Sequence, residues 1–234
     1  MGKIRLDKFL ADTGRWSRKE ARELLRQGRV RLAGAVEKDA AVKVDPQQDA
    51  VTVDGEAVVW AQFRYLMLYK PEGVLTATED RHQKTVLDLL PPEYSGLFPV
   101  GRLDKDTTGL LLLTDDGELA HHLLSPKHHV DKVYLARIDG TADAVDAAAF
   151  RQGLTLGDGT VCLPAELEPL EPGWCRVTLR EGKFHQVKRM LAARGKPVLA
   201  LKRLSMGGLR LDEGLKPGEF RPLTAPEIDL LKKS

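Results

Sequence analysis

A run of four leucines, Leu110 to Leu113, constrains the fold of this chain more than any other feature. The run is short and turn-forming residues bound it, a combination typical of a buried strand. It lies inside a longer stretch, GRLDKDTTGLLLLTDDG, that begins at Gly101 and ends at Gly117. Asp and Thr beside Gly are ordinary turn formers. They do not explain why Arg102, Asp104, Lys105 and Asp106 are crowded into one turn.

The length and composition of the chain indicate a soluble globular protein of one or two domains. It has 234 residues, of which 42% are hydrophobic and 30% charged. No apolar run approaches the roughly 18 residues of a membrane span, and the first residues lack the apolar core of a secretory signal. Cys162 and Cys175 form no C-x-x-C pair, which argues against a disulfide framework or a cysteine zinc site. We therefore predict a cytoplasmic protein without a membrane partner.

Positive charge is concentrated at the amino terminus. Residues 1–31 contain ten Lys or Arg and four Asp or Glu, whereas the remainder contains 26 and 30. The net charge of +2 is therefore the sum of a basic amino-terminal segment, called the head below, and a mildly acidic remainder, called the body. Such a distribution suggests that the head binds a polyanion.

The head has the pattern of two short helices. Leu6, Phe9 and Leu10 give the first an apolar stripe that ends at Gly14, and Ser17 with Glu20 forms a capping box for the second. The polar face of these helices carries mainly positive side chains, for which we predict contacts with RNA phosphates. They are Arg15, Arg18, Lys19, Arg22 and Arg26, followed by Arg29.

A small hairpin follows the two helices. A strand begins at Val30, and the sequence V-T-V-D-G ends at Gly55. Two basic helices followed by this hairpin resemble the alpha-L RNA-binding motif. The resemblance covers about a quarter of the chain and implies an RNA-binding domain over residues 1–58, with a linker over residues 55–62.

The body of the chain mixes strands and helices without regular alternation, which indicates an α+β fold. We predict strands at residues 65–69, 133–138, near 165–167 and 175–179, and helices at residues 85–90, 118–124, 142–152 and 185–191. The sequence K-P-E-G after the first of these strands is typical of a tight turn. Residues 63–234 are predicted to form one domain.

Four ordered motifs in this body resemble the RsuA-like group of pseudouridine synthases. They are Lys70-Pro71-Glu72-Gly73, the Gly101–Gly117 stretch, Lys132-Val133-Tyr134 and the segment from Gly182 to Met190. The resemblance implies a mixed, largely antiparallel sheet and an enzyme that isomerises one uridine of small-subunit (16S) ribosomal RNA. The reaction needs no redox change and no group donor, so no cofactor and no metal are expected.

The resemblance also implies roles for individual residues. Asp104 matches the catalytic aspartate, and Tyr134 matches a tyrosine that stacks on the target base. Lys188 lies where relatives carry a cation paired with the aspartate, and such a cation favours an ionised carboxylate. The neighbouring Arg189 has the same charge, so the sequence leaves open which of the two makes the pair. Asp106 matches no family role and is expected to be a turn residue.

Further contacts with RNA are expected around this site. Arg102 resembles an arginine that contacts RNA or fills the gap left by a flipped base. We also assign RNA binding to Lys70, Lys127, His128 and Arg189. The histidine pairs at 121–122 and 128–129 lack the spacing of known metal sites.

Two other functions remain open at this stage. Residues 104–108 satisfy D-x-D-x-T, the phosphoaspartate loop of magnesium-dependent phosphohydrolases, although the apolar run follows the motif here instead of preceding it. Alternatively, the chain is a non-catalytic RNA-binding or ribosome assembly factor. The sequence does not identify the uridine, nor whether free RNA or an assembling particle is the substrate. It also leaves open whether Asp104 attacks C1′ or the uracil ring. A monomer is expected, since no dimer seam is evident.

Overall fold

A computed structural model describes residues 2–13, 15–58, 60 and 63–234 of the chain. It divides into two compact units, one of Met1–Arg64 with Pro91–Gly96 and the other of Tyr65–Leu90 with Leu97–Ser234. Gly14, the predicted end of the first helix, and residues 59, 61 and 62 of the predicted linker lie outside the described residues. The motifs from Lys70 to Met190 all belong to the second unit.

The first unit contains two helices and short antiparallel strands. Its elements are β1 (Ile4–Arg5), α1 (Leu6–Asp12), α2 (Arg18–Arg26), β2 (Val30–Leu32), β3 (Ala35–Val36), β4 (Lys43–Val44), β5 (Val51–Val53) and β6 (Glu56–Ala57). One sheet has the order β3-β2-β5-β6, and β1 pairs with β4. The predicted capping box of Ser17 and Glu20 starts α2. The predicted apolar stripe, with Phe9 and Leu10, is buried.

A nine-stranded sheet organises the second unit. Its strands are β7 (Tyr65–Lys70), β8 (Phe98–Pro99), β9 (Thr107–Thr114), β10 (Lys132–Ile138), β11 (Glu166–Pro169), β12 (Trp174–Leu179), β13 (Val198–Met206), β14 (Leu209–Arg210) and β15 (Phe220–Pro222). The main order is β11-β12-β10-β13-β9-β7-β15, while β14 pairs with β13 and β8 with β9. Within the described sheet, the β13–β9 pairing is parallel and the other pairings are antiparallel. The prediction of a mixed, largely antiparallel sheet is confirmed.

Helices cover part of this sheet. They are α3 (Gly117–Leu124), α4 (Ala144–Gln152), α5 (Gln186–Ala193) and α6 (Ala225–Lys232). One core cluster gathers Phe150 of α4 and Met190 of α5 against Val177 of β12. Cys162 and Cys175 are buried free thiols in the same cluster. Within the described part of the chain, no helix is both long and apolar enough to cross a membrane.

The predicted helix over residues 85–90 is wrong. The structure has only a 3₁₀ turn, Leu87–Leu89, in this segment. The carboxylate of Asp88 accepts hydrogen bonds from the backbone and hydroxyl of Thr85. The prolines at 91 and 92 leave too few residues for an α-helix, because the residue before a proline is disfavoured in the helical region.

The tetraleucine run is a buried strand, as predicted, and the glycine before it allows a close backbone approach. Leu110 to Leu113 in β9 are fully buried. Gly109 has a φ of +104°, and a Cβ placed there would lie 2.2 Å from the carbonyl oxygen of Arg203 in β13. Only glycine fits such a position. The contact sets β9, which follows the charged turn, directly beside β13, which follows α5.

Candidate active site

Backbone and side-chain hydrogen bonds hold the turn that carries Asp104. The carbonyl of Asp104 accepts the N–H of Thr107 at 3.1 Å, which closes the turn before β9. The hydroxyl of Thr76 donates to the carbonyl of Leu103 at 2.7 Å and accepts the N–H of Leu103 at 3.2 Å. Thr76 and Leu103 are both buried. The residue before Asp104 is therefore fixed through both of its backbone polar groups.

Lys70 holds the other side of the turn, which corrects its assignment as an RNA contact. Its side chain is fully buried at the end of β7. The ammonium donates to the carbonyls of Pro71 at 3.0 Å, Lys105 at 3.3 Å and Thr107 at 3.0 Å. Burial lowers the pKa of Lys70 to about 8, against the nearby carboxylates of Asp106 and Asp104, which act to raise it. A lysine placed this way supports the turn and does not reach RNA.

Lys188 of α5 is the cation that pairs with Asp104. Its Nζ lies 2.8 Å from Oδ2 of Asp104 and 2.5 Å from Oδ1 of Asp106. Burial acts to lower the pKa of Lys188, but the hydrogen bonds to both carboxylates outweigh it and raise the pKa. The bond to Lys188 in turn lowers the pKa of Asp106. Asp106 was expected to be only a turn residue. In the structure it also accepts a hydrogen bond from Lys188, the cation that pairs with Asp104.

Arg189 makes different contacts, so the choice left open by the sequence is resolved. Its guanidinium lies 2.5 Å from Oδ2 of Asp158 and donates to the carbonyl of Phe184 at 3.4 Å. Residues 188 and 189 point in different directions, as consecutive helical residues do. Arg189 therefore braces the segment before α5, and its half-buried side chain is a poor candidate for a direct RNA contact.

The segment before α5 forms one wall of the site. Gln186, which is buried, donates to Oε1 of Glu181 at 2.6 Å and accepts the N–H of Lys183 at 2.9 Å. His185 has the left-handed φ of 49° and ψ of 33°, and its Nε2 lies 3.5 Å from Oδ1 of Asp104. His185 and Gln186 therefore support this wall of the site.

Tyr134 faces Asp104 across two adjoining cavities. It lies in β10 opposite Val177 of β12 and Arg203 of β13. A smaller cavity of about 70 Å³ and a larger one of about 750 Å³ are both lined by Arg102, Asp104 and Tyr134. A register shift between Val133 and Tyr134 marks a bulge in the β10–β13 pairing, and such bulges redirect side chains. The structure therefore brings together Asp104, Lys188, Tyr134 and Arg102.

Two buried cations, Lys132 and Arg203, line the larger cavity. Lys132 lies in one of the four motifs but was assigned no role, and Arg203 lies outside them. Lys132 donates to the carbonyl of Val130 at 2.9 Å, and Nε of Arg203 donates to the carbonyl of Leu110 at 2.8 Å. Burial and the neighbouring Arg203 lower the pKa of Lys132. A cavity with these groups in its wall is suited to a negatively charged ligand.

Lys127 and His128 lie outside this central group. Both are exposed in the 3₁₀ turn Pro126–His128. The ring of His128 lies against that of His122 with centroids 3.9 Å apart and the planes tilted by 37°. Among the described residues, no group of three or more His, Cys, Asp or Glu is arranged to hold a metal ion. Their exposure is compatible with the predicted RNA contacts.

Comparison with known proteins identifies the family of the chain. The family model described as RNA pseudouridylate synthase matches residues 64–193, more than half of the chain. The chain belongs to the RNA pseudouridylate synthase family. The S4 domain model matches residues 4–51. The sequence-based resemblance is thereby confirmed, and this RNA pseudouridylate synthase is an isomerase with an RNA-binding head.

Individual relatives support the same conclusion over nearly the whole chain. The uncharacterized RNA pseudouridine synthase YtzG of Bacillus subtilis is 48% identical, with 98% of this chain and 99% of the relative covered. Ribosomal small subunit pseudouridine synthase A of Escherichia coli is 42% identical, with 96% and 98% covered. A crystal structure of a pseudouridylate synthase matches with a TM-score of 0.69 and 38% identity, covering 97% of this chain and 99% of that one.

The phosphohydrolase interpretation of the synthase is not supported. Asp104 and Asp106 both bond the ammonium of Lys188, so a cation of the protein already occupies the space beside the two carboxylates. Strand β9 also begins at Thr107, within the motif, so the buried strand comes after the two aspartates. The first aspartate of a phosphoaspartate loop instead follows a buried strand, as noted from the sequence. The D-x-D-x-T match is therefore coincidental.

Several cations in the head of the synthase are ion-paired within the first unit. Arg15 lies 3.3 Å from Glu56, Arg22 donates to the buried Asp7 at 3.0 Å, and Arg26 pairs with Glu23. Arg18 and Lys19 are exposed on α2. Arg29, the sixth predicted contact, is paired with Asp54. Of the six predicted RNA contacts in the head, Arg18 and Lys19 are therefore the most available to phosphates.

Proposed function

We propose that the protein isomerises one uridine of small-subunit ribosomal RNA to pseudouridine. The pairing of Asp104 with Lys188 opposite Tyr134, in a cavity lined by cations, carries the proposal. The substrate class follows from relatives named ribosomal small subunit pseudouridine synthase A, which are 40–44% identical over nearly their full length. We further propose that the protein acts as a cytoplasmic monomer on free RNA or on an assembling small-subunit particle.

In this proposal Asp104 is the carboxylate that assists cleavage of the N1–C1′ bond of the target uridine. The freed uracil turns, C5 bonds to C1′, the hydrogen of C5 leaves as a proton, and N1 gains a proton. Lys188 pairs with this carboxylate and fixes its direction. Every non-hydrogen atom of the nucleotide is retained and one proton is exchanged with solvent, so the step needs no external reductant or group donor.

Tyr134 and Arg102 act on the base and on its surroundings. The target uridine must leave its stack before C1′ is reached, which disfavours the bound state by a few kcal/mol. The ring of Tyr134 stacks on the uracil in the cavity, while Arg102 contacts the RNA that the uridine has left. In the first unit, Arg18 and Lys19 bind phosphates of the same RNA class.

Tritium release from RNA labelled at uridine C5 tests this function. Small-subunit ribosomal RNA is compared with large-subunit ribosomal RNA, each as naked RNA and in a partly assembled particle. We expect release from the small-subunit substrate alone, and none with the Asp104→Asn variant. Asp229→Asn, which removes an exposed carboxylate of α6, is the matched control and should retain activity. RNA binding without release from any substrate would instead support an assembly factor.

A further inference from the structure

Phe184 is an exposed aromatic side chain beside the catalytic turn. It exposes 74% of its surface, more than any other large apolar residue in the described part of the chain. Single exposed apolar residues are ordinary on protein surfaces, so exposure alone has no meaning. The position of Phe184 is the informative feature, because it lines the larger cavity together with Arg102 and Asp104.

The ring of Phe184 is supported from one side. It stacks on the ring of His185 with centroids 3.8 Å apart and an angle of 18° between the planes. The carbonyl of Phe184 accepts a hydrogen bond from Arg189, whose guanidinium is itself paired with Asp158. These contacts fix the backbone and one face of the ring. The other face is left for a ligand.

The charges around this ring favour RNA as the ligand. Five cationic side chains and two carboxylates line the larger cavity. They are Arg102, Lys105, Lys132, Lys183 and Arg203, against Asp80 and Asp104. Sites for single-stranded nucleic acid combine a cationic groove that follows the phosphates with aromatic rings on which bases stack. Phe184 and the cavity reproduce both parts.

We propose that Phe184 is a stacking platform for the base of a nucleotide next to the target uridine. A base on the free face of Phe184 is separated from Asp104 by the rings of Phe184 and His185. It is therefore a neighbour of the reacting uracil and not that uracil itself. The platform replaces part of the stacking that the neighbour loses when the target leaves the helix. This inference rests on the proposed function for the identity of the reacting nucleotide.

Binding of a fluorescein-labelled short oligouridylate, measured in the Asp104→Asn background, tests the platform without turnover. Replacing Phe184 by Leu keeps the apolar volume but removes the aromatic face, so we expect affinity to fall about 5- to 100-fold. Phe184→Tyr retains the face and should bind within about twofold of the parent. The slope of log affinity against log salt should not change, because no phosphate contact is removed.

Three results would overturn the platform: equal affinity of the Phe184→Leu and parent proteins, a loss accompanied by a smaller salt slope, or no binding by the parent. Tritium release separates this outcome from the proposed function. Release by the parent with unchanged binding of Phe184→Leu keeps the function and removes the platform. If Phe184→Leu binds RNA more weakly but the parent releases no tritium from any RNA, Phe184 is still a stacking platform and the proposed isomerase function is wrong. In the active background, Phe184→Leu should raise KM and leave kcat near that of the parent.

Discussion

The ammonium nitrogen of Lys188 lies 2.8 Å from Oδ2 of Asp104. This contact joins the first turns of α5 to the turn before β9, two segments that are 84 residues apart in the chain. The side chains of Lys188 and Asp104 are about one-quarter exposed, at 21% and 26%. The pair is thus open to a substrate while it is shielded enough for its charges to interact strongly.

Removing this cation should impair the chemical step more than RNA binding. We expect Lys188→Met to lower kcat about 100-fold, because the carboxylate loses both its partner and its fixed direction. KM should change little, since Lys188 is bonded to carboxylates of the protein and not placed among the RNA contacts. Tritium release over a range of RNA concentrations separates the two constants. Lys202→Met, a lysine over the ring of Tyr69, is the control, and an equal loss in both variants would contradict the assignment.

Lys70→Met should destabilise the second unit in a pH-dependent way. The pKa of Lys70 is about 8 in the folded protein and ordinarily 10.5. Between these values the unfolded chain holds a proton that the folded protein has released, so the contribution of Lys70 to stability increases as the pH rises. The deficit of Lys70→Met relative to the parent should therefore grow between pH 8 and pH 10.5, by about 2 kcal/mol. Urea unfolding at the two pH values measures it. A deficit that is independent of pH would indicate a solvent-exposed lysine.

Asp7 is a buried carboxylate that should stabilise the head at neutral pH. It accepts hydrogen bonds from Arg5 at 3.0 Å and from Arg22 at 3.0 Å. The bond from Arg5, opposed by burial, lowers the pKa of Asp7 from 3.8 to about 2. The folded protein therefore releases the proton of Asp7 more readily than the unfolded chain. Its stabilisation is fully present above about pH 4 and is lost as the pH falls to about 2.

The Asp7→Asn variant should accordingly destabilise α1 and α2 at pH 7, by about 1 kcal/mol because both arginines are half exposed. Hydrogen exchange of the two helices in the full-length protein measures this effect. Asp12→Asn, at the end of α1, is the matched control. A difference between the Asp7→Asn and parent proteins that persists undiminished at pH 2 would refute the linkage.

The exposed cations of α2 should bind RNA phosphates. The double variant Arg18→Gln with Lys19→Gln should weaken RNA binding and lower the salt slope by about 1.5. A second double variant, Arg29→Gln with Arg31→Gln, removes the same charge. Its arginines are bonded to Asp54 and to the carbonyl of Gly34, so it should lower the slope less. Equal slopes for the two variants would show that net charge matters and that the α2 face does not.

Sequence patterns predict those strands and helix ends that depend only on a few consecutive residues. Leu110 to Leu113 predict β9 because a run of four apolar side chains between turns must be buried. The capping box at Ser17 likewise depends on four consecutive residues. By contrast, no pattern predicts β13, the strand beside β9. Its sequence VLALKRLSM places Lys202 and Arg203 in the middle, where charge is expected to be exposed, yet Arg203 is buried.

In the candidate site, too, the residues within motifs are predictable from sequence, whereas contacts between distant segments are not. Ordered motifs predict that Asp104, Lys188 and Tyr134 act together. In the structure Asp104 and Tyr134 line the same cavities, and Lys188 is bonded to Asp104. Lys70 belongs to the same motifs, but its burial depends on carbonyls contributed by residues 105 and 107. Thr76 lies in no recognised motif, and its bonds to Leu103 depend on tertiary structure alone. The supporting residues are therefore the part that sequence patterns miss.

The close approach of Gly109 to Arg203 limits which substitutions the protein tolerates at position 109. Position 109 holds no polar side chain, yet it sets the spacing between the strand after Asp104 and the strand after Lys188. An added methyl group would force these two backbones apart. In a saturation screen for activity, position 109 should therefore be as intolerant as Asp104, the proposed catalytic aspartate. The requirement for glycine would be geometric, although a screen alone would not distinguish this position from one whose side chain takes part in the reaction.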